Sequence, residues 1–237
     1  LGKGSNTLIN PKAQVPCIIK VSPQITPIIV DEETFTVNAG ISVNRLMTLA
    51  VNESIAGYEF MAGVPATIGG MVFMNFGCWG RTISDTLQRV RVVTESGEDL
   101  WIKKRDLTFG YRTSTFQSKK WVIIEAEFTF ERGIASEIKE TIAANVKKRL
   151  DSQPLKDKTF GSIFKNPPGK YAAQVLEEQG YKGKGTPHLK LSNQHANFLV
   201  NLGEADYDET VAFLDKIKTE VWKKTGDVLE LEVRIVS

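Results

Sequence analysis

The stretch from Ala62 to Gly80 reads Ala-Gly-Val-Pro-Ala-Thr-Ile-Gly-Gly-Met-Val-Phe-Met-Asn-Phe-Gly-Cys-Trp-Gly, and the rest of the chain is best read outward from it. Five glycines and one proline among apolar residues cannot make a good solvent-facing helix, because glycine costs backbone entropy and proline removes a donor. Something must press closely on this backbone. Gly69, Gly70 and Gly77 are expected to leave peptide N–H groups uncovered, so that a flat polyanion such as a dinucleotide could lie against them. The same pattern also suits a buried turn packed on another backbone, and the stretch alone leaves both readings open.

At 237 residues the chain is long enough for one large domain or two modest ones. Its 41% apolar and 24% charged content is that of an ordinary soluble protein, and a net charge of +2 is too small for a nucleic-acid surface. Cys17 and Cys78 stand far apart, which favours reduced thiols and a cytosolic setting. No apolar run approaches the roughly 20 residues that span a bilayer, and no signal peptide or metal-ligand spacing is visible. Leu1 opens the chain inside a glycine loop, so a preceding segment is expected.

Along the chain, Leu1-Gly-Lys-Gly-Ser-Asn6 offers N–H groups and hydroxyls for a pyrophosphate, or plain turn chemistry. Cys17–Val21, Pro27–Val30 and Thr34–Val37 read as strands. Ser42 is expected to cap a helix whose buried face is Val43, Leu46, Met47, Ala50 and Val51. Arg89–Thr94 and Leu100–Lys104 flank a turn sequence and predict a hairpin, followed by a strand over Trp121–Phe130. Ala135–Ser152 spaces Ile138, Ile142, Val146 and Leu150 as one helix face, ended by Pro154. Beyond a boundary near Ser152 come a helix over Tyr171–Gln179 closed by Gly180 and a buried strand over Ala196–Asn201. Asp206 and Glu209 form a capping-box pattern before a helix with Val211, Leu214, Ile217 and Val221 inside, stopped by Gly226. Val228–Val236 reads as a closing strand.

Several stretches, in unbroken order from the first residue to the last, resemble one family, UDP-N-acetylenolpyruvoylglucosamine reductase. They are Leu1-Gly-Lys-Gly-Ser-Asn6, Gly63-Val-Pro-Ala-Thr-Ile-Gly-Gly70, Met74-Asn75, Tyr111-Arg-Thr-Ser114, Gly161-Ser-Ile-Phe-Lys-Asn-Pro167, His195-Ala-Asn-Phe-Leu-Val-Asn201 and Glu232-Val-Arg-Ile235. The resemblance implies an α+β fold: flavin-binding subdomains of the vanillyl-alcohol-oxidase type plus a separate α+β substrate domain. On this reading residues 1–22 belong to a first FAD-binding subdomain to which 227–237 return, 23–152 form the second, and 153–226 bind substrate.

The resemblance further implies an FAD-dependent oxidoreductase of the cytoplasm. It would use NADPH to reduce the enolpyruvyl ether of a UDP-linked amino sugar to UDP-N-acetylmuramate, a peptidoglycan precursor. The partner is a small molecule, with no nucleic acid, membrane or metal, and the oligomeric state is undetermined. By position in the family's motifs, Arg112 stands beside the substrate carboxylate, Ser162 protonates C2 and Glu232 helps to stabilise the enolate, with Glu230 as its rival two residues away. Gly2, Lys3, Gly4, Ser5, Asn6, Gly63, Val64, Pro65, Thr67, Gly69, Gly70, Asn75 and Gly77 would hold the cofactor; Tyr111, Lys165 and Asn166 would meet the substrate. His195 is read as a structural histidine. Lys3, Ala66, Phe76, Cys78 and Trp79 depart from the family's usual residues, as do Arg81-Thr82 and Thr186-Pro-His188, and the catalytic three stand. A non-catalytic flavin or nucleotide-sugar binder, or a flavin oxidase, is the alternative.

Overall fold

The computed structural model describes residues 1–23, 28–29 and 32–237. They divide into two compact units, one of residues 1–3 and 18–148, the other of 4–17 and 149–237. In chain order the elements are β1 (Thr7–Ile9), β2 (Ile28–Ile29), β3 (Thr34–Asn38), α1 (Val43–Asn52), α2 (Ile68–Phe73), β4 (Leu87–Val93), β5 (Asp99–Lys103) and β6 (Val122–Thr129). The order continues with α3 (Ala135–Ser152), α4 (Ala172–Glu178), β7 (Leu189–Leu191), β8 (Leu199–Asn201), α5 (Tyr207–Thr225) and β9 (Arg234–Val236). Shorter two-residue pairings close two turns, and a third joins Ile55–Ala56 to Glu131–Arg132. The fold is α+β.

The first unit is built on an antiparallel sheet in the order β2-β3-β6-β4-β5. Strand alternation sends Phe35, Val37, Val90, Val92, Ala126 and Phe128 into the core. The opposite face carries a charge ladder in which Arg89 grips the buried Glu127 through two bonds of 2.9 and 2.6 Å, and Arg91 bridges Glu125 and Asp99. α1 covers the core face. Ser42 caps it by accepting from the Arg45 N–H, and Val43, Leu46, Met47 and Ala50 are buried, as their spacing predicts. Burying Leu46 completely is worth about 1.5–3 kcal/mol. On α3, Ile138 is buried and Ile142 and Val146 pack against the same core, whereas Leu150 is exposed, contrary to the helical pattern.

The glycine stretch forms α2, a short helix whose Ile68, Met71 and Val72 are buried. Its glycines answer to packing. Gly69 donates to the Ala39 oxygen at 2.8 Å, and a Cβ there would stand 2.8 Å from the Ala39 Cβ. Gly70 donates to the Thr67 hydroxyl at 3.3 Å. A Cβ on Gly77 would meet the Arg81 oxygen at 2.7 Å. The expectation of uncovered N–H groups at Gly69 and Gly70 is therefore corrected, since both are satisfied inside the protein.

The second unit packs α4 and α5 with β7 and β8 around Phe164, Leu176, Leu191, Leu214 and Ile217. Gly180, at φ 71°, follows the last turn of α4, and Gly226, at φ 75°, ends α5. Asp206 caps α5 by accepting from the Glu209 N–H, but the box is half made, because the Glu209 carboxylate is taken by Thr186 and His188. Those bonds, the Thr186 hydroxyl foremost, hold the Glu209 carboxyl below its ordinary pKa. The inner face of α5 is Thr210, Phe213, Leu214, Ile217 and Val221, with Val211 only half-buried.

Three strand expectations are corrected. Cys17–Val21 forms no strand: Cys17 to Lys20 are exposed, and Val21 crosses close over Gly40 rather than joining a ladder. Of Val228–Val236 only Arg234–Val236 is a strand, because the segment before it changes partners from residue to residue. Ala196–Asn197 is a turn, and Phe198 makes an isolated bridge before β8. Of Pro27–Val30, Ile28–Ile29 form β2, and Pro27 and Val30 lie outside the described residues.

The two helix glycines separate packing from propensity. Gly69→Ala should lower the denaturant midpoint of the apoprotein by an amount equivalent to about 1–3 kcal/mol, as overpacking does. Gly70→Ala, whose Cβ would meet only the Thr67 hydroxyl at 3.4 Å, should be neutral or stabilising by up to about 1 kcal/mol. Equal effects would contradict the packing account.

Candidate functional site

In the first unit the predicted residues gather where a tight hairpin meets the end of α2. Phe109–Gly110 pairs with Thr113–Ser114, leaving Tyr111 and Arg112 as a two-residue turn. Arg112 has φ 54°, a conformation that such turns usually give to glycine or asparagine. The surroundings enforce it. Ser114 donates its hydroxyl to the Phe73 oxygen at 2.6 Å, and the Gln117 amide donates to that same oxygen at 3.1 Å and to the Arg112 oxygen at 2.9 Å. The hairpin is thus fastened to the carbonyl end of α2 while the Arg112 guanidinium rests 5.5 Å from the Phe76 ring centre and 5.2 Å from that of Tyr111.

Asn75 completes this group. It too is left-handed, at φ 42°, and its amide nitrogen donates to the Gly110 oxygen at 2.8 Å. That bond fixes the amide's orientation, which leaves Oδ1 as the buried side-chain acceptor without a partner among the described residues. A buried acceptor of this kind calls for an incoming N–H or O–H donor. The Thr67 hydroxyl, which caps α2, lies where a Cβ on Gly2 would come within 2.6 Å, so Gly2 is held against the helix start. Gly63, at φ 82°, turns the chain into Val64, which donates to Met61, and the exposed Pro65. Lys3 is exposed.

The second unit gathers the others. Gly161, at φ 82°, lies close to the Ser5 oxygen and leads into Ser162. The following residues are gripped from two sides: Ile163 N–H donates to Asn197 O at 2.9 Å, and Glu232 N–H donates to Ile163 O at 2.8 Å. Glu232 is thereby set one residue from Ser162. Its carbonyl accepts from the Asn6 amide at 3.1 Å, and Arg234 N–H donates to Asn6 O, starting the parallel pairing of β1 with β9. Gly4, at φ 71°, accepts from Thr7 and forms the turn that delivers Ser5 and Asn6 to this place. The Ser162 hydroxyl is half-buried and has no hydrogen-bond partner among the described residues.

Lys165 and Asn166 follow on the same segment. Lys165 pairs with Glu230 at 3.3 Å, which leaves Glu230 as an exposed surface carboxylate, whereas Glu232 is half-buried beside Ile163. The Asn166 side-chain Oδ1 accepts from Ala172 N–H at 3.0 Å, supplying the cap that Tyr171 does not. So the structure brings Ser162, Glu232, Lys165, Asn6 and Ser5 together in one unit, and Arg112, Tyr111, Asn75, Gly77, Gly69, Gly70 and Thr67 in the other.

Comparison with known proteins covers most of both groups, with Tyr111 and Arg112 outside the two matched spans. Residues 153–236 match the family described as UDP-N-acetylenolpyruvoylglucosamine reductase, C-terminal domain, and residues 1–103 match an FAD binding domain family. A UDP-N-acetylenolpyruvoylglucosamine reductase of Halalkalibacterium halodurans is 36% identical over 236 residues, covering 100% of this chain and 78% of the relative. The chain belongs to the UDP-N-acetylenolpyruvoylglucosamine reductase family. A relative of the same name from Caldanaerobacter subterraneus subsp. tengcongensis is 33% identical, again over 100% of this chain and 78% of its own length. The crystal structure of UDP-N-acetylenolpyruvylglucosamine reductase (MurB) from Thermus caldophilus superposes with a TM-score of 0.85 at 29% identity, covering 100% of this chain and 84% of that one.

Two residues of this reductase chain escaped the sequence reading. Gln117 ties Arg112 to α2, and Asn197, 3% exposed, bonds Phe164 through both ends of its amide, at 3.0 and 2.8 Å. Asn197 lies inside a quoted motif, and an amide amid buried apolar residues was the available signal. His195 is structural as read: its Nδ1 accepts from Asn197 N–H at 3.3 Å, and its ring meets Phe198 edge-on at 4.8 Å.

Burial pushes the His195 pKa down from its ordinary value. As pH falls through about 6.5 the unfolded chain's histidine takes a proton that the native one refuses, so this contribution is full above that pH and is lost below it. His195→Asn keeps an acceptor for Asn197 and removes the titration. Between about pH 7 and pH 5 its urea midpoint should fall less steeply than that of the native protein; parallel profiles would contradict a buried neutral imidazole.

Proposed function

We propose that this chain reduces UDP-N-acetylglucosamine enolpyruvate to UDP-N-acetylmuramate with NADPH, using FAD, in peptidoglycan precursor synthesis, and that it acts in the cytoplasm. No helix among the described residues is long and apolar enough to cross a membrane. The orphaned Asn75 oxygen supports the cofactor's place, because FAD carries the N–H and O–H donors that such an acceptor requires. We assign Gly2, Lys3, Gly63, Val64, Pro65, Thr67, Gly69, Gly70, Asn75 and Gly77 to cofactor contact, joined by Gly4, Ser5 and Asn6. Segments 1–22 and 227–237 with 23–152 would carry FAD, and 153–226 the sugar nucleotide.

FAD held by these residues would supply hydride transfer from NADPH to the vinyl carbon C3 of the substrate. Negative charge then develops on C2 and its carboxylate, and the protein must meet it with fixed donors. Arg112 suits that task, because a guanidinium stays charged and presents its donors in a plane, and its turn is locked by Gln117 and Ser114. The proton for C2 comes from Ser162. A hydroxyl is a weak acid in water, yet a carbanion-like carbon is basic enough to take its proton when the oxygen is held close and resupplied from solvent. Glu232 stands beside it to steady the developing enolate, and Lys165, Asn166 and Tyr111 contact the substrate.

The observation that carries these roles is the Ser162 hydroxyl, without a hydrogen-bond partner among the described residues, on a segment directly bonded to Glu232. Ser162→Ala should leave flavin bleaching by NADPH at its native rate and slow recolouring by the enolpyruvyl sugar about 100-fold or more, the usual worth of a general acid. Stopped-flow absorbance separates the two steps. Native recolouring by the variant would remove Ser162 from the mechanism.

A further inference from the structure

We infer that Asn197 is a positioning residue that sets where the Ser162 hydroxyl stands, an inference that rests on Ser162 being the proton donor. Ser162, Ile163 and Phe164 belong to no regular strand, and their strand-like pairing is confined to isolated bridges, Ser162 with Phe198 and Phe164 with Leu231. No extended ladder fixes them. Asn197 takes that part: from its buried side chain Oδ1 accepts from Phe164 N–H at 3.0 Å and Nδ2 donates to Phe164 O at 2.8 Å, beside a main-chain bond in which its oxygen accepts from Ile163 N–H at 2.9 Å.

A serine oxygen sits one bond beyond Cβ, so its place follows the main chain closely. A displacement of about 1 Å at a reacting group can cost about 100-fold in rate. An apolar side chain would fill the same space, but it would leave Phe164 N–H and C=O unpaired, so the segment would be held only by its main-chain bonds at Ile163 and Lys165. The turn that presents Asn197 is itself fastened, because Asn197 N–H donates to His195 and Phe198 packs on that ring. Asn197 thus holds the two residues after Ser162 without touching the serine side chain.

The test uses FAD-loaded protein carrying Asn197→Ala and Ser162→Ala singly and together, with the half-reactions measured separately. Asn197→Ala should slow recolouring by the enolpyruvyl sugar about 100-fold, keep NADPH bleaching and substrate KM within about twofold, and add nothing to Ser162→Ala. Asn197→Asp keeps the acceptor but sets a carboxylate against the Phe164 oxygen, and should lose rate in the same step while retaining FAD. The inference is overturned if Asn197→Ala recolours normally while Ser162→Ala is slow, if it slows the Ser162→Ala protein by its full factor, or if both Asn197 variants lose FAD. Normal recolouring by Ser162→Ala would instead strike at the proton-donor reading beneath it, so the two failures are told apart.

Discussion

The double grip on residues 162–165 is the constraint on which the second unit's chemistry depends. One side is supplied by Asn197 and Phe198, the other by Glu230 to Val233, and each hydrogen bond comes from a residue far away in sequence. Without this grip nothing would keep Ser162 and Glu232 one residue apart, since the chain between them runs through two helices and a strand pair. The beginning of the chain is drawn into the same knot, because Asn6 bonds Glu232 and Arg234 just before β1 pairs with β9.

The first unit meets a comparable demand by close approach. Gly69 lies against Ala39 where any side chain would collide, and α2 is thereby seated on the end of β3. Its far end then receives the Phe109–Ser114 hairpin through the single Phe73 oxygen, which takes donors from both Ser114 and Gln117. Among the four described non-glycine residues of this unit at positive φ, Ser54, Asn75, Trp79 and Arg112, two lie at this junction, Asn75 and Arg112, a cost that recurs at functional sites because the surroundings over-determine the backbone. The Arg112 guanidinium and the Asn75 oxygen, the latter without a partner among the described residues, sit on these two strained residues.

Local signals were readable in the sequence wherever local physics decides. Ser42 and the 3–4 spacing behind it define α1, and Thr94 to Glu98 define the β4–β5 turn. Gly180 and Gly226 end their helices, needing only their own backbone conformation. Cys17–Val21 failed because an apolar run is a strand only if a partner ladder receives it, and the chain there passes over Gly40 instead. Val228–Val236 failed for the same reason, since its residues bond Lys165, Ile163 and Asn6 in turn. Of the proposed site, motif position singled out Ser162, Arg112 and Glu232, and the structure adds the bonds that hold their segments. Gln117 and Asn197 act through main-chain atoms of other segments, so their residue type alone carries no sign of the work they do.

The central claim is that this chain moves two electrons and two hydrogens from NADPH and solvent onto an enolpyruvyl ether. Its most direct test is one anaerobic turnover of the unmodified, FAD-loaded protein. Bleached by NADPH and then mixed with UDP-N-acetylglucosamine enolpyruvate, it should recolour without oxygen and release a sugar nucleotide two hydrogens heavier. Recolouring only when oxygen is admitted, with the sugar nucleotide unchanged in mass, would contradict it.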